Sequence, residues 1–334
     1  MRPIRVAIIG SGYIADYHAR ALRALPETVV QVVCGLDTKA LNEFAARHGI
    51  AETTEDAAGL VSRDDIDAAV LCTPNVLHAP HAVAFLEHGK DVLVEKPMAV
   101  SAAEGAGVAD TVQRTGRVLM VGHMWRFDRE VNYVREAIQS GRIGRVVRTK
   151  GYGVHENWGP AGWFTRKDLA GGGALADMGV HAIDTTRFLL GDPRPQQVYA
   201  RLGTYYGDYD VDDTGVLFIT WDNAVMSIVE SGWWQPHTDG PEASCQVFGT
   251  EGYASLFPTK LKVKEEGQWR QIAPSMPPRR EHCDQHMYTR QMERFLDCIR
   301  TRRPCVPGAA EGQTVLRIVD AAYQSSREGR AVSL

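Results

Sequence analysis

A glycine turn constrains the fold of this chain more than any other feature of its sequence. The turn follows the apolar run at residues 4–9 and opens a stretch with helical spacing at residues 12–25. Gly10 allows a tight turn, and Gly12 has no side chain to keep a pyrophosphate away from the backbone. The N-terminus of the following helix presents free N–H groups to phosphates. The turn therefore predicts dinucleotide binding through Gly10, Gly12, Tyr13 and Ile14.

Short apolar strands alternate with helices over the first part of the chain. The predicted strands are 4–9, 29–36, 68–72, 92–94 and 118–121, and the predicted helices between them are 12–25, 38–48, 76–88 and 101–115. Strands that are apolar throughout are typical of a parallel sheet covered by helices on both faces. The sequence therefore predicts an α/β domain of the Rossmann type, with a doubly wound parallel sheet, over residues 1–124.

The pattern changes beyond residue 125. Helices are predicted at 128–140, 174–190, 282–301 and 309–328. Between Val198 and Ile272 polar and apolar residues alternate in short runs, which indicates an antiparallel sheet with one buried face. We therefore expect residues 125–334 to form an α+β domain that binds substrate, with the C-terminal helix packed back on the first domain.

Composition argues against several classes of protein. The net charge of −4 gives no general attraction to nucleic acid or to anionic lipid. No apolar run approaches the roughly 18 residues that span a bilayer. The six cysteines form no CxxC pair, which is typical of a reducing cytoplasm. We therefore expect a cytoplasmic protein without nucleic-acid or membrane partners.

A carboxylate ends the second predicted strand. Asp37 follows the glycine turn at the position where an acidic side chain accepts hydrogen bonds from the adenosine ribose and repels a 2′-phosphate. Asp37 therefore favours NAD as the cofactor. NADP stays open, because Lys39 or Arg47 lies near enough in sequence to pair with the extra phosphate.

Three titratable residues have the chemistry of an alcohol dehydrogenase. Lys96 follows a predicted parallel strand, at the sheet edge where ligands bind, and a cis bond to Pro97 would aim its side chain. Asp177 and His181 are four residues apart and share one face of a predicted helix. Oxidation of an alcohol with a nicotinamide requires transfer of a proton as well as a hydride. His181 suits the proton transfer, Lys96 suits stabilisation of an alkoxide, and Asp177 suits orientation of the substrate.

Structural interpretations of these residues also stay open. Considered without a cofactor, Lys96 is interpreted as a surface lysine. Asp177 is then interpreted as an acidic residue at the start of a helix, and His181 as a histidine of the core. The glycines at 171–173 are expected to let the backbone lie close to the nicotinamide ribose or the substrate. A metal-like cluster, Glu281 to His286, is interpreted as a solvated helix start, so no metal is predicted.

The sequence resembles the Gfo/Idh/MocA oxidoreductases in five segments. These are GSGYIA at 10–15, TPNVLHAPHA at 73–82, EKP at 95–97, GHMWRF at 122–127 and GGGALADMGVHAID at 171–184. The resemblance implies a second domain built on a large open, mostly antiparallel sheet, which makes the contacts of a homodimer or homotetramer. It also implies the catalytic set Lys96, Asp177 and His181. The further cofactor contacts that it implies are Thr73, Pro74, Asn75, His78, Glu95, Lys96 and His123. The substrate contacts that it implies are Arg126, His155, Asn157, Trp163, Asp177 and His181.

The resemblance further implies the class of substrate. It predicts an NAD-dependent dehydrogenase acting on the secondary alcohol, or the ketone, of a sugar, cyclitol or sugar derivative. Flat faces for such a ring are offered by Trp158, Trp163, Trp233 and Trp234, of which the last two point to opposite sides of a strand. Two alternatives stay open: an enzyme of glycosidase or epimerase type with tightly bound NAD as a redox relay, and a non-catalytic sensor of NAD or sugar.

Overall fold

The computed structural model describes residues 2–236, 242–277 and 284–334. These residues form two compact units. Unit 1 comprises the described residues of 2–124 and 284–313, and unit 2 comprises those of 125–277 and 314–334. Three members of the metal-like cluster, Glu281, His282 and Cys283, lie outside the described residues.

Unit 1 is built on a parallel sheet. Its strands are β1 (Ile4–Ile9), β2 (Thr28–Cys34), β3 (Thr53–Thr54), β4 (Ala68–Leu71), β5 (Asp91–Val94) and β6 (Leu119–Val121). Within the described residues they lie in the order β3-β2-β1-β4-β5-β6, and every neighbouring pair is parallel. All residues of β4 and β5 are buried, as expected for strands covered on both faces. The predicted doubly wound Rossmann sheet is therefore confirmed.

Helices connect these strands, and their ends follow from local sequence. They are α1 (Tyr13–Arg23), α2 (Thr38–His48), α3 (Ala57–Leu60), α4 (His78–Glu87) and α5 (Ala102–Thr115). Ser101 caps α5 by accepting a hydrogen bond from the Glu104 N–H, and Gly116 ends that helix in the left-handed conformation. Ala15 in α1 is fully buried, which fits the need for a small residue at this position of the turn.

Unit 2 is built on a mostly antiparallel sheet. Its strands are β7 (Val146–Glu156), β8 (Pro195–Gly203), β9 (Thr214–Trp221), β10 (Met226–Gln235), β11 (Ala243–Gly249), β12 (Gly252–Ser255), β13 (Lys260–Glu265), β14 (Gln268–Ile272) and β15 (Val332–Ser333). In the described part of the chain their order is β14-β13-β12-β11-β7-β10-β9-β8-β15, and only the β7–β10 pair is parallel. The open, mostly antiparallel sheet is therefore confirmed.

Three helices of unit 2 lie between its strands or before them: α6 (Arg129–Gln139), α7 (Lys167–Ala170) and α8 (Val180–Leu189). A π-helical turn, Leu175–Gly179, leads directly into α8. Residues of α8 such as Ile183 pack in one core with inward side chains of the sheet, among them Leu217 and Val229. This packing places the π-helical turn against the sheet.

Two helices end the chain, α9 (Gln285–Thr301) and α10 (Ala309–Glu328). From the sequence we expected α10 to pack on the first domain. In the structure α9 belongs to unit 1, whereas α10 belongs to unit 2 from residue 314 onward. The reason is the apolar stripe of α10, because Val315, Ile318 and Ala322 join the core of unit 2. Within the described residues no helix has the length and apolar character needed to cross a bilayer.

Candidate active site

The two glycines of the turn, Gly10 and Gly12, differ in whether the fold itself requires a glycine. Gly10 has a φ of +105°, and a Cβ added there would lie 2.3 Å from the carbonyl oxygen of Cys72. The fold itself therefore requires Gly10. Gly12 has an ordinary φ of −81°, and among the described residues no atom lies within 4 Å of an added Cβ. The fold does not require Gly12, which instead leaves open space at the N-terminus of α1.

Asp37 has a structural role that the sequence analysis missed. It is exposed and caps α2, with Oδ1 accepting hydrogen bonds from the backbone N–H groups of Lys39 and Ala40, each at 3.1 Å. Both bonds end on one carboxylate oxygen, so the cap and a ribose contact are compatible. Arg47, considered as a partner for an NADP phosphate, lies 3.2 Å from Asp16.

The segment after β4 supplies a buried hydroxyl and a histidine. The Thr73 hydroxyl oxygen is buried, and the described residues offer it no hydrogen-bond partner. His78 is also buried, and its Nδ1 and Nε2 atoms lie 2.7 Å from the Pro97 carbonyl and 2.9 Å from the Thr73 carbonyl. Burial lowers the pKa of His78 although the two carbonyls oppose the shift. Both ring nitrogens thus face backbone carbonyls, and a neutral ring donates a hydrogen bond to one of them, so that His78 lies between the Thr73 segment and Pro97.

Glu95 forms a buried pair with a residue that the sequence analysis did not single out. Its Oε1 accepts a hydrogen bond from Nε2 of His18 at 2.7 Å, and its Oε2 accepts one from the Lys96 backbone N–H at 3.1 Å. Burial alone would raise the pKa of Glu95, but His18 and Lys96 outweigh it, so the pKa lies below its ordinary value. A Cβ added at Gly122 would lie 2.7 Å from this carboxylate, so Gly122 makes room for it.

The remaining cofactor residues predicted in unit 1 follow other strands of the same sheet. Lys96 is partly buried, and its bond to Pro97 is cis, as the sequence analysis predicted. Asn75 is buried in the short helical turn after β4, and His123 is buried just beyond β6. Because all these strands are parallel, their carboxyl ends meet at one edge of the sheet. The structure therefore brings the predicted cofactor residues to a common edge.

In unit 2, Asp177 lies in the π-helical turn and His181 in the first turn of α8. The predicted single helix is thus two kinds of helix, and π-helical turns are frequent at functional sites. Oδ2 of Asp177 accepts a hydrogen bond from the indole N–H of Trp233 at 3.1 Å. Trp233 is fully buried and Asp177 nearly so. The Trp233 indole therefore fixes the orientation of the Asp177 carboxylate.

Asp212 anchors the start of this helical segment. Its carboxylate accepts hydrogen bonds from the N–H groups of Gly173 and Leu175, at 2.9 and 2.8 Å, and from the Tyr323 hydroxyl at 2.6 Å. Burial raises the pKa of Asp212, and these hydrogen bonds offset only part of the rise. Asp212 therefore holds the turn that carries Asp177, although no motif in the sequence indicated this role for Asp212.

The glycine run requires a correction. We expected residues 171–173 to lie close to a nicotinamide ribose or a substrate. In the structure a Cβ added at Gly173 would lie 1.8 Å from the Asp212 carbonyl oxygen, and one added at Gly172 would lie 2.2 Å from the Tyr323 hydroxyl. Gly171 ends α7 in the left-handed conformation. These glycines therefore accommodate the protein's own backbone and side chains.

His155 lies between two carboxylates. Its Nε2 atom is 3.7 Å from Oδ2 of Asp177, and its Nδ1 atom is 3.1 Å from Oε2 of Glu242. The imidazole is buried and stacks on the Trp158 ring, with 3.7 Å between the ring centroids. The Trp158 indole N–H donates to Oε1 of Glu242. The structure thus groups the predicted residues Asp177 and His155 with Glu242, which no motif in the sequence had indicated.

Arg126 requires a second correction, because it was expected to contact substrate. Its guanidinium is buried, and Nη2 donates to Asp184 and to Asp192, each at 2.7 Å. Nε donates to Asp184 as well, at 2.8 Å. Burial lowers the pKa of Arg126, but the two aspartates outweigh it and hold the pKa above its usual range. With its donors used inside unit 2, Arg126 is a structural residue.

The other expected substrate residues differ in exposure. Asn157 is exposed directly after β7 with a φ of 55°, and Trp163 is partly buried and stacks on Phe164. Trp233 is buried, whereas Trp234 is 40% exposed, in accordance with their opposite directions on β10. The described residues contain no group of three or more His, Cys, Asp or Glu side chains arranged to hold a metal ion.

Comparisons with known proteins agree with this architecture. A family model described as an oxidoreductase family with an NAD-binding Rossmann fold matches residues 4–123, and one described as a GFO/IDH/MocA C-terminal domain matches residues 131–255. D-glucoside 3-dehydrogenase of Escherichia coli is 28% identical over 99% of this chain and 98% of its own length. scyllo-Inositol 2-dehydrogenase (NAD(+)) of Bacillus subtilis is 27% identical over 99% and 96%. The structure of levoglucosan dehydrogenase in complex with NADH superposes with a TM-score of 0.90, at 25% identity and 99% coverage of each chain.

The fold, the glycine turn and these similarities define the class of protein. Unit 1 is an NAD-binding Rossmann domain, and the chain is an oxidoreductase. It belongs to the Gfo/Idh/MocA family.

Proposed function

We propose that this protein is an NAD-dependent dehydrogenase for the secondary alcohol, or the ketone, of a sugar, cyclitol or sugar derivative. The observation that carries the proposal is the Asp177 carboxylate, which the buried Trp233 indole holds beside the His155 imidazole. Polar groups beside aromatic rings are suited to a polyol ring. The relatives named for a glucoside and an inositol support the same class of substrate.

The residues of unit 1 fit NAD in two respects. Gly12 leaves open space where α1 begins, and the Thr73 hydroxyl is buried without a partner among the described residues. The N–H groups at the start of α1 would bind the pyrophosphate, and Asp37 would accept from the adenosine ribose through the oxygen that the helix cap does not use. When bound, NAD supplies the acceptor for the hydride.

Three residues of this chain would perform the remaining chemistry. Lys96 would stabilise the negative charge that develops on the substrate oxygen. His181 would exchange the hydroxyl proton, since an imidazole titrates near neutral pH. Asp177 would orient the substrate by accepting hydrogen bonds from its hydroxyl groups.

Oxidation of a panel of sugars and cyclitols, with NAD and with NADP, tests this function through the absorbance of the reduced nicotinamide. We expect NADH to accumulate with at least one polyol. Lys96→Met and Asp177→Asn should each lower kcat/KM by about a hundredfold or more. The matched control Lys264→Met, on an exposed position of β13, should retain full activity. Product formation without accumulation of NADH would identify the redox-relay alternative instead, and NADH or sugar binding without any turnover would identify the sensor.

We also propose that the protein is a homo-oligomer that buries the outer face of the unit 2 sheet. Tyr199, Val216 and Phe218 are each at least 40% exposed, and Tyr199 lies opposite Phe218 in the β8–β9 pair. Light scattering with Phe218→Glu tests this, because a charge on that face should lower the oligomer number. An unchanged mass would contradict the proposed interface. The cytoplasmic location stays a prediction.

A further inference from the structure

In unit 2 the imidazole of His155 lies between the carboxylates of Glu242 and Asp177. One imidazole nitrogen, Nδ1, lies at hydrogen-bond distance from Glu242, and the other, Nε2, lies 3.7 Å from Asp177. With Nε2 as an acceptor, these two atoms can accept from two neighbouring hydroxyl groups of a polyol, one proton each, because each hydrogen bond spans about 2.8 Å. The state of Nε2, as donor or acceptor, therefore decides what a substrate hydroxyl meets beside Asp177.

Glu242 is the group that determines this state. Its Oε1 accepts from two donors, the Trp158 indole N–H and the Glu156 backbone N–H, the latter at 3.1 Å. Its Oε2 is therefore the oxygen that faces His155 Nδ1. An ionised carboxylate only accepts hydrogen bonds, so the imidazole must carry a proton on Nδ1. The ring is also fixed in its plane by stacking on Trp158.

We propose that Glu242 is a positioning residue of the active site, which acts through His155 by holding the Nδ1 proton and so presenting the Nε2 lone pair to a substrate hydroxyl next to the one that donates to Asp177. The proposal rests on the proposed function and extends it to a residue that does not itself contact substrate. Among the described residues, the titratable groups that face His155 are Glu242, from the segment before β11, and Asp177, from the π-helical turn. Trp158 covers the ring face.

Substitution of Glu242 by glutamine makes a sharp test, because an amide has one acceptor and one donor end. Two N–H donors face the Oε1 position, so the amide oxygen must occupy it. The amide NH₂ then faces Nδ1 of His155, where an N–H would meet it donor to donor and a lone pair would accept from it. Glu242→Gln should therefore move the proton of the neutral ring from Nδ1 to Nε2. Glu242→Asp keeps two acceptor oxygens and should retain the wild-type tautomer.

The experiment records the imidazole nitrogens by ¹H–¹⁵N NMR with histidine-labelled protein at alkaline pH, and His155→Asn identifies the signal. We expect the Nδ1–H tautomer in the wild type and in Glu242→Asp, and the Nε2–H tautomer in Glu242→Gln. With a polyol substrate, kcat/KM of Glu242→Gln should fall at least about tenfold, and Glu242→Asp should recover part of the loss. The control Glu265→Gln, at the end of strand β13, should match the wild type in both measurements.

A wild-type His155 with its proton on Nε2 would overturn the inference, and this spectrum decides even if Glu242→Gln does not fold. An unchanged tautomer in folded Glu242→Gln, or an unchanged kcat/KM, would overturn it as well. Failure of the proposed function gives a different result: no polyol supports NADH formation by the wild type, while the spectra still report whether Glu242 sets the tautomer.

Discussion

The Nε2 atom of His18 lies 2.7 Å from Oε1 of Glu95, and both side chains are buried. This hydrogen bond ties α1, which begins at the glycine turn, to the segment that carries Lys96. The second carboxylate oxygen accepts from the Lys96 backbone N–H. One buried pair therefore sets the relative positions of a phosphate-binding helix and a candidate catalytic lysine.

Stability at acidic pH should depend on this pair. The pKa of Glu95 in the folded protein lies below 4.5, its ordinary value. The pair therefore stabilises the fold fully above that pH, and the stabilisation is lost as the pH falls through the folded pKa. Glu95→Gln should lower the free energy of unfolding by about 1–3 kcal/mol at pH 7. Its stability should then fall less steeply than that of the wild type below pH 4.5, as measured by urea unfolding.

A matched substitution keeps this measurement specific. Glu87→Gln changes an exposed glutamate that pairs with Arg114 on the surface, and we expect it to follow the wild-type pH dependence. Parallel pH profiles for Glu95→Gln and the wild type would show that the pair contributes nothing to acid stability.

Gly10→Ala and Gly12→Ala should separate folding from cofactor binding. At Gly10 an alanine meets a positive φ and the Cys72 carbonyl oxygen, so the variant should unfold at lower temperature or fail to fold. At Gly12 an alanine has an ordinary φ and open space, so the melting temperature without cofactor should stay near that of the wild type. The methyl group should nevertheless weaken NADH binding by about tenfold or more, which fluorescence titration measures. If Gly12→Ala bound NADH with wild-type affinity, that result would contradict the proposed position of the pyrophosphate beside Gly12.

The two roles of Asp37 can also be separated by substitution. Asn caps helices as well as Asp does, whereas loss of the cap in Asp37→Ala should cost about 1 kcal/mol. Asp37→Asn should therefore keep the stability of the wild type but lose the charge that repels a 2′-phosphate. We expect the ratio of NADPH to NADH affinity to rise in Asp37→Asn. An unchanged ratio would contradict the ribose contact and leave only the cap.

The sequence was sufficient to predict features that depend on local pattern. Apolar runs bounded by turns predicted the strands of unit 1, because a strand buried on both faces needs apolar residues throughout. The alternation along β9, with Leu217 and Ile219 buried and Val216 and Phe218 exposed, predicted a sheet with one covered face. The hypothesis of a cis bond at Pro97, which would aim Lys96, is also confirmed.

Features that depend on distant residues were not predictable in this way. From the sequence, Gly173 is interpreted as a glycine that allows close approach of a ligand. In the structure Asp212, 39 residues later, lies against it. The partners of Arg126 lie 58 and 66 residues along the chain, so the sequence cannot tell a buried ion pair from a substrate contact. Glu242 has no motif around it, and only the sheet brings it to His155.

Arg126 offers the last prediction, because its two interpretations give opposite results. As a structural residue it pairs with Asp184, and Arg126→Gln would remove the guanidinium that lies 2.7 Å from that buried carboxylate. The loss of one partner from a buried ion pair costs about 3–5 kcal/mol. We therefore expect a much lower free energy of unfolding by urea, and a KM for the polyol substrate close to the wild-type value in the folded enzyme.

The double variant Arg126→Met with Asp184→Asn provides the control, because it removes both charges at once. It should be more stable than Arg126→Gln, since replacing both members of a buried pair costs less than stranding one of them. Suppose instead that Arg126→Gln kept its stability and raised KM many-fold. The guanidinium would then contact substrate, as the sequence alone had indicated, and Asp184 would be neutralised by some other group.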